Sequence, residues 1–332
     1  MAHCRILLAA IVTAVLAFNV NAADSDNLMH VQAEQFLKSL PNDLQPRQTD
    51  AVMKAIDGDT TDLNRVRQSR NASRQPSPSV KITEITKTLR MYEPAGASDS
   101  LPTLLYFHGG GWTFGSLNSC ARFCDALAAT GKAKIVAVDY HLAPEYPFPA
   151  GLHDCRDALL YIIQHAAKFG INPSRISIGG DSSGGNLALS LAYALSGDNC
   201  PISSVVLFYP VTKAIADGSN SWKRYGKGYG LDAELMEAFN KAYTLECDAK
   251  DQLVSPGFLS KKELCKLPPT LLISAGHDIL ADQGKELAKK LGENVTYHIF
   301  PEAVHLFITV PGQDEAFSRA VALTADFLNK RH

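Results

Sequence analysis

The pattern of hydrophobic and polar positions changes rhythm several times along the chain. It begins with an apolar run at residues 6–18, interrupted only by Thr13 and preceded by one charged side chain, Arg5. Residues 28–40 then place Leu28, Val31, Phe36, Leu37 and Leu40 near one helical face, and 51–56 reads as another short helix. Residues 67–79, RQSRNASRQPSPS, are polar with two prolines and read as a linker. From Val80 the period drops to two: 80–85 alternates as a half-exposed strand, and a second strand runs through Tyr92. Short continuous apolar runs follow at Thr103–Phe107, Lys134–Val138, 175–178, 204–209, 270–274 and 295–300. Helical patterns separate them, at about 119–130, 151–169, 184–196, 281–291 and 313–330. Strands that are apolar on both faces and alternate with helices predict an α/β fold, a mainly parallel sheet covered on both sides. The stretch 212–262 breaks the rhythm, carries a helix near 232–245 and reads as an insertion of the kind that forms lids.

The opening run is too short to span a bilayer, which takes ~20 apolar residues. It ends in Val20, Asn21 and Ala22, which suits signal-peptidase cleavage after Ala22. The expectation is an exported protein, periplasmic or secreted, with a mature chain of 310 residues. No cysteine follows the run at a lipoprotein position, so no stable membrane anchor is expected. The domain reading is 1–22 signal peptide, 23–79 N-terminal helices and linker, and 80–332 main domain with its insertion at 212–262.

Export changes how the cysteines read. Of seven, six remain after Cys4 is removed, and an oxidising compartment predicts at least one disulfide. Cys247 and Cys265 flank one loop-rich segment and are the favoured pair. Cys120 and Cys124 stand four apart on a helical pattern, but nothing nearby completes a metal tetrad, so no metal site is expected. The chain is 46% hydrophobic and 20% charged, which excludes a disordered tail or a fibre. With 32 Lys+Arg against 34 Asp+Glu, it has no basic excess for a phosphate backbone, and nucleic acid is not an expected partner.

In open α/β sheets, ligands bind beyond the carboxyl ends of the strands, and the candidate chemistry stands there. The run 175–178 leads into Gly180, Asp181, Ser182, Ser183 and Gly184, a G-x-S-x-G followed by a helical pattern. A nucleophile on a sharp strand-to-helix turn needs small neighbours two residues either side, because the backbone packs tightly there. The N-terminus of the following helix aims free N–H groups at the reaction centre. After Thr103–Phe107 comes His108, Gly109, Gly110, Gly111 and Trp112. Consecutive glycines let backbone N–H groups approach a substrate oxygen. The N–H groups of these glycines and of Ser183 are the candidate oxyanion donors, His108 orients the loop, and Trp112 borders the acyl pocket. The chain lacks a Walker Lys-Ser/Thr and a G-x-G-x-x-G, so the glycines do not indicate a nucleotide. GDSSGG is similar to the GDSGG of trypsin-like proteases. Those need a His and an Asp upstream of the Ser, and the one AHC here lies at residues 2–4.

An acid and a His must then follow the Ser. The run 270–274 ends beside Asp278, a strand-end carboxylate. Asp282 falls one helical turn later, where a carboxylate commonly only complements the helix dipole. Of the histidines beyond Asp278, His298 lies within a strand pattern and His332 is terminal. His305 follows the last strand in a loop and is the candidate base.

From about residue 80 to 330 the chain resembles the hormone-sensitive-lipase family of α/β-hydrolases, the bacterial family IV esterases. The resemblance rests on HGGGWTFGS at 108–116, DYHLAPEYPFPAGLHD at 139–154, GDSSGGNLAL at 180–189, AGHDILADQG at 275–284 and VHLF around His305. It implies a triad of Ser182, Asp278 and His305, oxyanion donors at Gly110, Gly111 and Ser183 with His108 and Gly109 supporting their loop, an eight-stranded sheet, and a helical cap formed by the N-terminal helices and the insertion. Departures are Ser183 for the usual Ala, Ile279 for Pro and Leu306 for Gly. The expected function is hydrolysis of small carboxylic esters through an acyl-enzyme, by a monomer or homodimer, without metal or organic cofactor. The alternatives are an amidase, a formamidase or a sugar deacetylase using the same triad, and a binding protein on the same scaffold.

Overall fold

The computed structural model describes residues 22–197 and 200–330. The signal-peptide reading lies outside the described residues apart from Ala22, and so do Cys4 and His332. Three helices open the described chain: α1 (Ala22–Ser39), α2 (Leu44–Ile56) and α3 (Thr61–Ser69). The third corrects the linker reading, because residues 67–69 belong to it. Leu63 is its one buried residue, so almost no apolar periodicity marks it.

An eight-stranded sheet follows, built from β1 (Val80–Glu84), β2 (Leu89–Pro94), β3 (Thr103–Phe107), β4 (Lys134–Val138), β5 (Ile176–Asp181), β6 (Val205–Phe208), β7 (Thr270–His277) and β8 (Val295–Val304). Their spatial order is β1-β2-β4-β3-β5-β6-β7-β8. The first two pairings, β1 with β2 and β2 with β4, are antiparallel, and the rest are parallel. The strands from β3 to β6 are buried at every position, as expected for parallel strands covered on both faces.

Side chains alternate between two apolar layers. Leu105 and Phe107 face the layer formed by α5 (Ala150–Gln164), α6 (Ser183–Ala194) and α10 (Ala281–Leu291). Leu104 and Tyr106 face α4 (Ala121–Ala129) and α11 (Asp314–Asn329). The insertion between β6 and β7 holds the expected helix, α8 (Ala233–Tyr243), and two shorter ones, α7 (Asn220–Tyr225) and α9 (Lys261–Leu264). α2 packs on α8, and α1 lies along β8 and α11. Ser25 Oγ of α1 donates to Glu315 Oε1 at 2.6 Å, and the Glu315 N–H donates to Gln32 Oε1 at 2.8 Å.

The disulfide expectation is not met. All six described cysteines are free, Cys247 and Cys265 included. Cys120, Cys124 and Cys155 are instead small buried members of the apolar layers. Among the described residues, no helix is long and apolar enough to cross a membrane.

Candidate active site

The carboxyl ends of β5, β7 and β8 and the loop after β3 converge on one point. Ser182 stands between β5 and α6 with φ +54°, a conformation that L-residues rarely adopt. Its N–H donates to Phe208 O at 3.0 Å, and its carbonyl accepts from Val211 N–H at 3.1 Å, so β6 and the loop after it hold the turn on both sides. The flanking glycines are steric necessities. A Cβ on Gly184 would collide with the Phe107 and His108 carbonyls, and one on Gly180 with the Phe107 carbonyl and the Gly184 backbone.

His305 follows β8 and its ring bridges two groups. Nε2 lies 3.1 Å from Ser182 Oγ, and Nδ1 lies 2.7 Å from Asp278 Oδ2. Asp278 Oδ1 accepts the Leu280 N–H at 2.9 Å. All three side chains are buried. With Nδ1–H donating to the carboxylate, Nε2 is left as an acceptor toward the serine hydroxyl, the polarity a general base needs. Asp282 is not part of this relay. It lies in the first turn of α10, and its Oδ2 accepts the Ser221 N–H at 2.9 Å, tying α10 to α7. His298 is on β8, away from the relay.

The glycine loop is held from below by the residue before Ser182. Asp181 Oδ1 accepts the Gly109 N–H at 2.9 Å and the Tyr106 hydroxyl at 2.7 Å. Burial pushes the Asp181 carboxyl up to about 6, although both hydrogen bonds oppose that shift. The Gly109 N–H is thus committed, whereas the N–H groups of Gly110 and Gly111 take no part in the loop's own hydrogen bonds. His108 is buried and stacked on Tyr140 at 4.3 Å. Burial drives its pKa down to about 4, so the ring is neutral, and its Nδ1–H donates to Gly109 O at 2.9 Å. The Tyr140 hydroxyl donates to His108 O at 2.7 Å. Trp112, with φ +57°, is buried and stacked 4.2 Å from Tyr243 of α8. Phe239 of the same helix fills the space where a Cβ on Gly111 would go.

Several residues at the site had no signal in the sequence. Gln313 accepts the Val304 N–H through Oε1 at 2.9 Å and donates from Nε2 to His305 O at 3.1 Å, bracketing the His loop. Tyr209 places its ring 4.4 Å from that of His305, and its hydroxyl accepts the Ile308 N–H at 3.2 Å. Asp181 and Tyr140 lie inside recognised motifs, but only the folded structure shows what they hold.

The description of the alpha/beta hydrolase fold family matches residues 104–309. The chain is 36% identical over 245 residues to carboxylesterase NlhH of Mycobacterium tuberculosis, covering 70% of this chain and 76% of that one. It is 33% identical over 253 residues to an ethyl acetate hydrolase of Pseudomonas putida, covering 74% of this chain and 79% of that one. A solved fungal esterase from Rhizomucor miehei superposes with a TM-score of 0.74 at 29% identity, covering 86% of this chain and 97% of that one. The chain belongs to the α/β-hydrolase fold family. Within it, the protein is a carboxylesterase-like enzyme of the hormone-sensitive-lipase type.

Proposed function

We propose that the protein is a serine carboxylesterase for esters of small acyl groups, with Ser182 as nucleophile, His305 as general base and acid, and Asp278 as the residue that orients His305. The observation that carries this reading is the relay of 3.1 Å and 2.7 Å through the His305 ring at the carboxyl edge of the sheet. Ser182 Oγ attacks the ester carbonyl carbon while His305 Nε2 takes its proton. The carbonyl oxygen becomes an oxyanion received by the N–H groups of Gly110, Gly111 and Ser183. Collapse expels the alcohol, which takes the proton back from His305. A water activated by the same ring then releases the acid from the acyl-enzyme and restores Ser182.

The preference for small acyl groups draws support from the aromatic roof, in which Trp112 stacks on Tyr243 and Phe239 presses on Gly111. In this reading α1–α3 and the insertion are the cap. A closed pocket gains ~0.8 kcal/mol per buried CH₂ until it is full, after which each added group forces packed side chains apart. Hydrolysis of p-nitrophenyl esters should peak between acetyl and hexanoyl and fall about tenfold by lauroyl, whereas a rise through palmitoyl would defeat the closed pocket. Ser182→Ala should lower kcat by ~10⁶ and abolish organophosphonate labelling. Labelling that persists at Ser183 would overturn the assignment. The proposal also has the chain exported with residues 1–22 removed, so N-terminal sequencing of the mature protein should begin at Ala23. A retained Met1 would refute that part.

A further inference from the structure

The last turn of α3 reaches the glycine loop from its outer side. Arg67 Nε donates to Thr113 O at 2.9 Å, and Nη2 donates to Ala143 O at 3.0 Å. Nη1 and Nη2 also straddle the Glu145 carboxylate at 2.6 Å and 2.8 Å, and Nη1 donates to Asn64 Oδ1 at 3.3 Å. Among the described residues no other donor reaches the Thr113 or Ala143 carbonyl.

Both carbonyls belong to the scaffold of the candidate oxyanion donors. The N–H groups of Thr113 and Phe114 close a turn on Gly110 O at 3.2 Å and 2.8 Å, and the Ala143 N–H donates to Trp112 O at 2.9 Å. One turn further along the arm, Arg70 lays its guanidinium 4.8 Å over the Phe114 ring, which meets Phe239 edge-on at 5.2 Å. A planar fork with five donors can serve two carbonyls and a carboxylate at once, which a lysine ammonium cannot do.

We infer that Arg67 is a positioning residue for the oxyanion loop, so that the N-terminal arm fixes the geometry of transition-state stabilisation as well as covering the substrate. The inference rests on the oxyanion assignment proposed above. Without Arg67 the 110–114 turn loses its outer strut, while the apolar contacts that bind a small ester in its ground state remain. The loss therefore falls on kcat.

The test uses Arg67→Ala, Arg67→Lys and Glu145→Gln in the full chain, with p-nitrophenyl acetate as substrate and an aryl trifluoromethyl ketone as inhibitor. In the inhibited enzyme Ser182 Oγ bonds to the ketone carbon, its proton passes to His305 Nε2, and the ketone oxygen becomes an oxyanion. Arg67→Ala should lower kcat by ~10- to 100-fold, with KM within about threefold and the ketone Ki raised in step with the kcat loss. Arg67→Lys should fall between wild type and Ala. Glu145→Gln should stay within about fivefold of wild type, because both carbonyl bonds remain. If the Ala variant does not fold, the Lys variant carries the test. A lowered Tm with kcat and ketone Ki unchanged would overturn the inference, and so would a raised KM with kcat unchanged. Full turnover by Ser182→Ala would instead remove the esterase reading itself. An inactive Ser182→Ala beside a fully active Arg67→Ala would remove only the strut.

Discussion

The Ser182 turn and the His305 loop solve the same problem in opposite ways. Each must hold a non-glycine residue at positive φ, Ser182 at +54° and Leu306 at +73°. At Ser182 the strain is enforced by subtraction. Gly180 and Gly184 let backbone pack on backbone so closely that a Cβ at either would collide. At the histidine it is enforced by side-chain tethers: Gln313 on both sides of residue 305, and Tyr209 on the Ile308 N–H. Strained positions persist only where the surroundings over-determine them. Deleted side chains leave a short local motif in a sequence. Tethers come from anywhere in the chain and leave none.

The comparison can be broken most severely through Asp278, the carboxylate hydrogen-bonded to His305. Asp278→Asn should lower kcat by ~10⁴ by favouring the wrong imidazole tautomer, whereas Asp282→Asn should stay within a few-fold. Steady-state kinetics on p-nitrophenyl acetate separates the two. If the Asp282 variant suffers the larger loss, the carboxylates have been given the wrong roles.

The Ser182 side is probed next, through the pH dependence of stability. Asp181 titrates near 6 in the folded protein against an ordinary value of 3.8, because burial disfavours its charge. The folded state therefore holds this proton more tightly than the unfolded state. The stability it contributes is full below about pH 4 and is lost as pH rises through 6, up to about 3 kcal/mol in all. Asp181→Asn should flatten that part of the profile in urea titrations between pH 4 and pH 7, a window taken from the value near 6 and the ordinary value of 3.8. An unchanged profile would mean that Asp181 is not the titrating group.

Smaller effects separate tether from strain. Gln313→Ala removes two buried hydrogen bonds and should cost ~1–3 kcal/mol in stability and lower kcat by about tenfold. A stability loss without a kcat loss would show that the His loop does not need its bracket. Leu306→Gly should relieve the positive φ, offset by a more flexible unfolded chain, and change stability by no more than ~1 kcal/mol in either direction. A larger loss would show that the Leu306 side chain, not the backbone, holds the loop.

How much of this was legible in the sequence follows the same division. The central strands were readable because burial on both faces writes continuous apolar runs, and β3 and β4 fall on the expected residues. Ser182, Asp278 and His305 were readable because each follows such a run, and the structure brings the three side chains together. α3 was hidden, since it buries only Leu63 and its other side chains match a polar linker. Arg67 was hidden for a different reason: its partners stand 46 to 78 residues away, and an arginine in an N-terminal segment reads as a solvated charge. For three of the six described cysteines the disulfide expectation misjudged burial. Cys120, Cys124 and Cys155 had already been taken up by the core.

The docking of α1 on β8 and α11 has a consequence for the order in which the molecule is made. The Ser25–Glu315 and Gln32–Glu315 bonds join residues 290 and 283 positions apart. A ribosome releases the N-terminal arm long before the surface that receives it. Closing so long a loop costs chain entropy before any contact can repay it. The arm must therefore wait, with its apolar face uncovered, until β8 and α11 have left the exit tunnel. For that interval the nascent chain presents a binding stripe to whatever holds unfolded proteins.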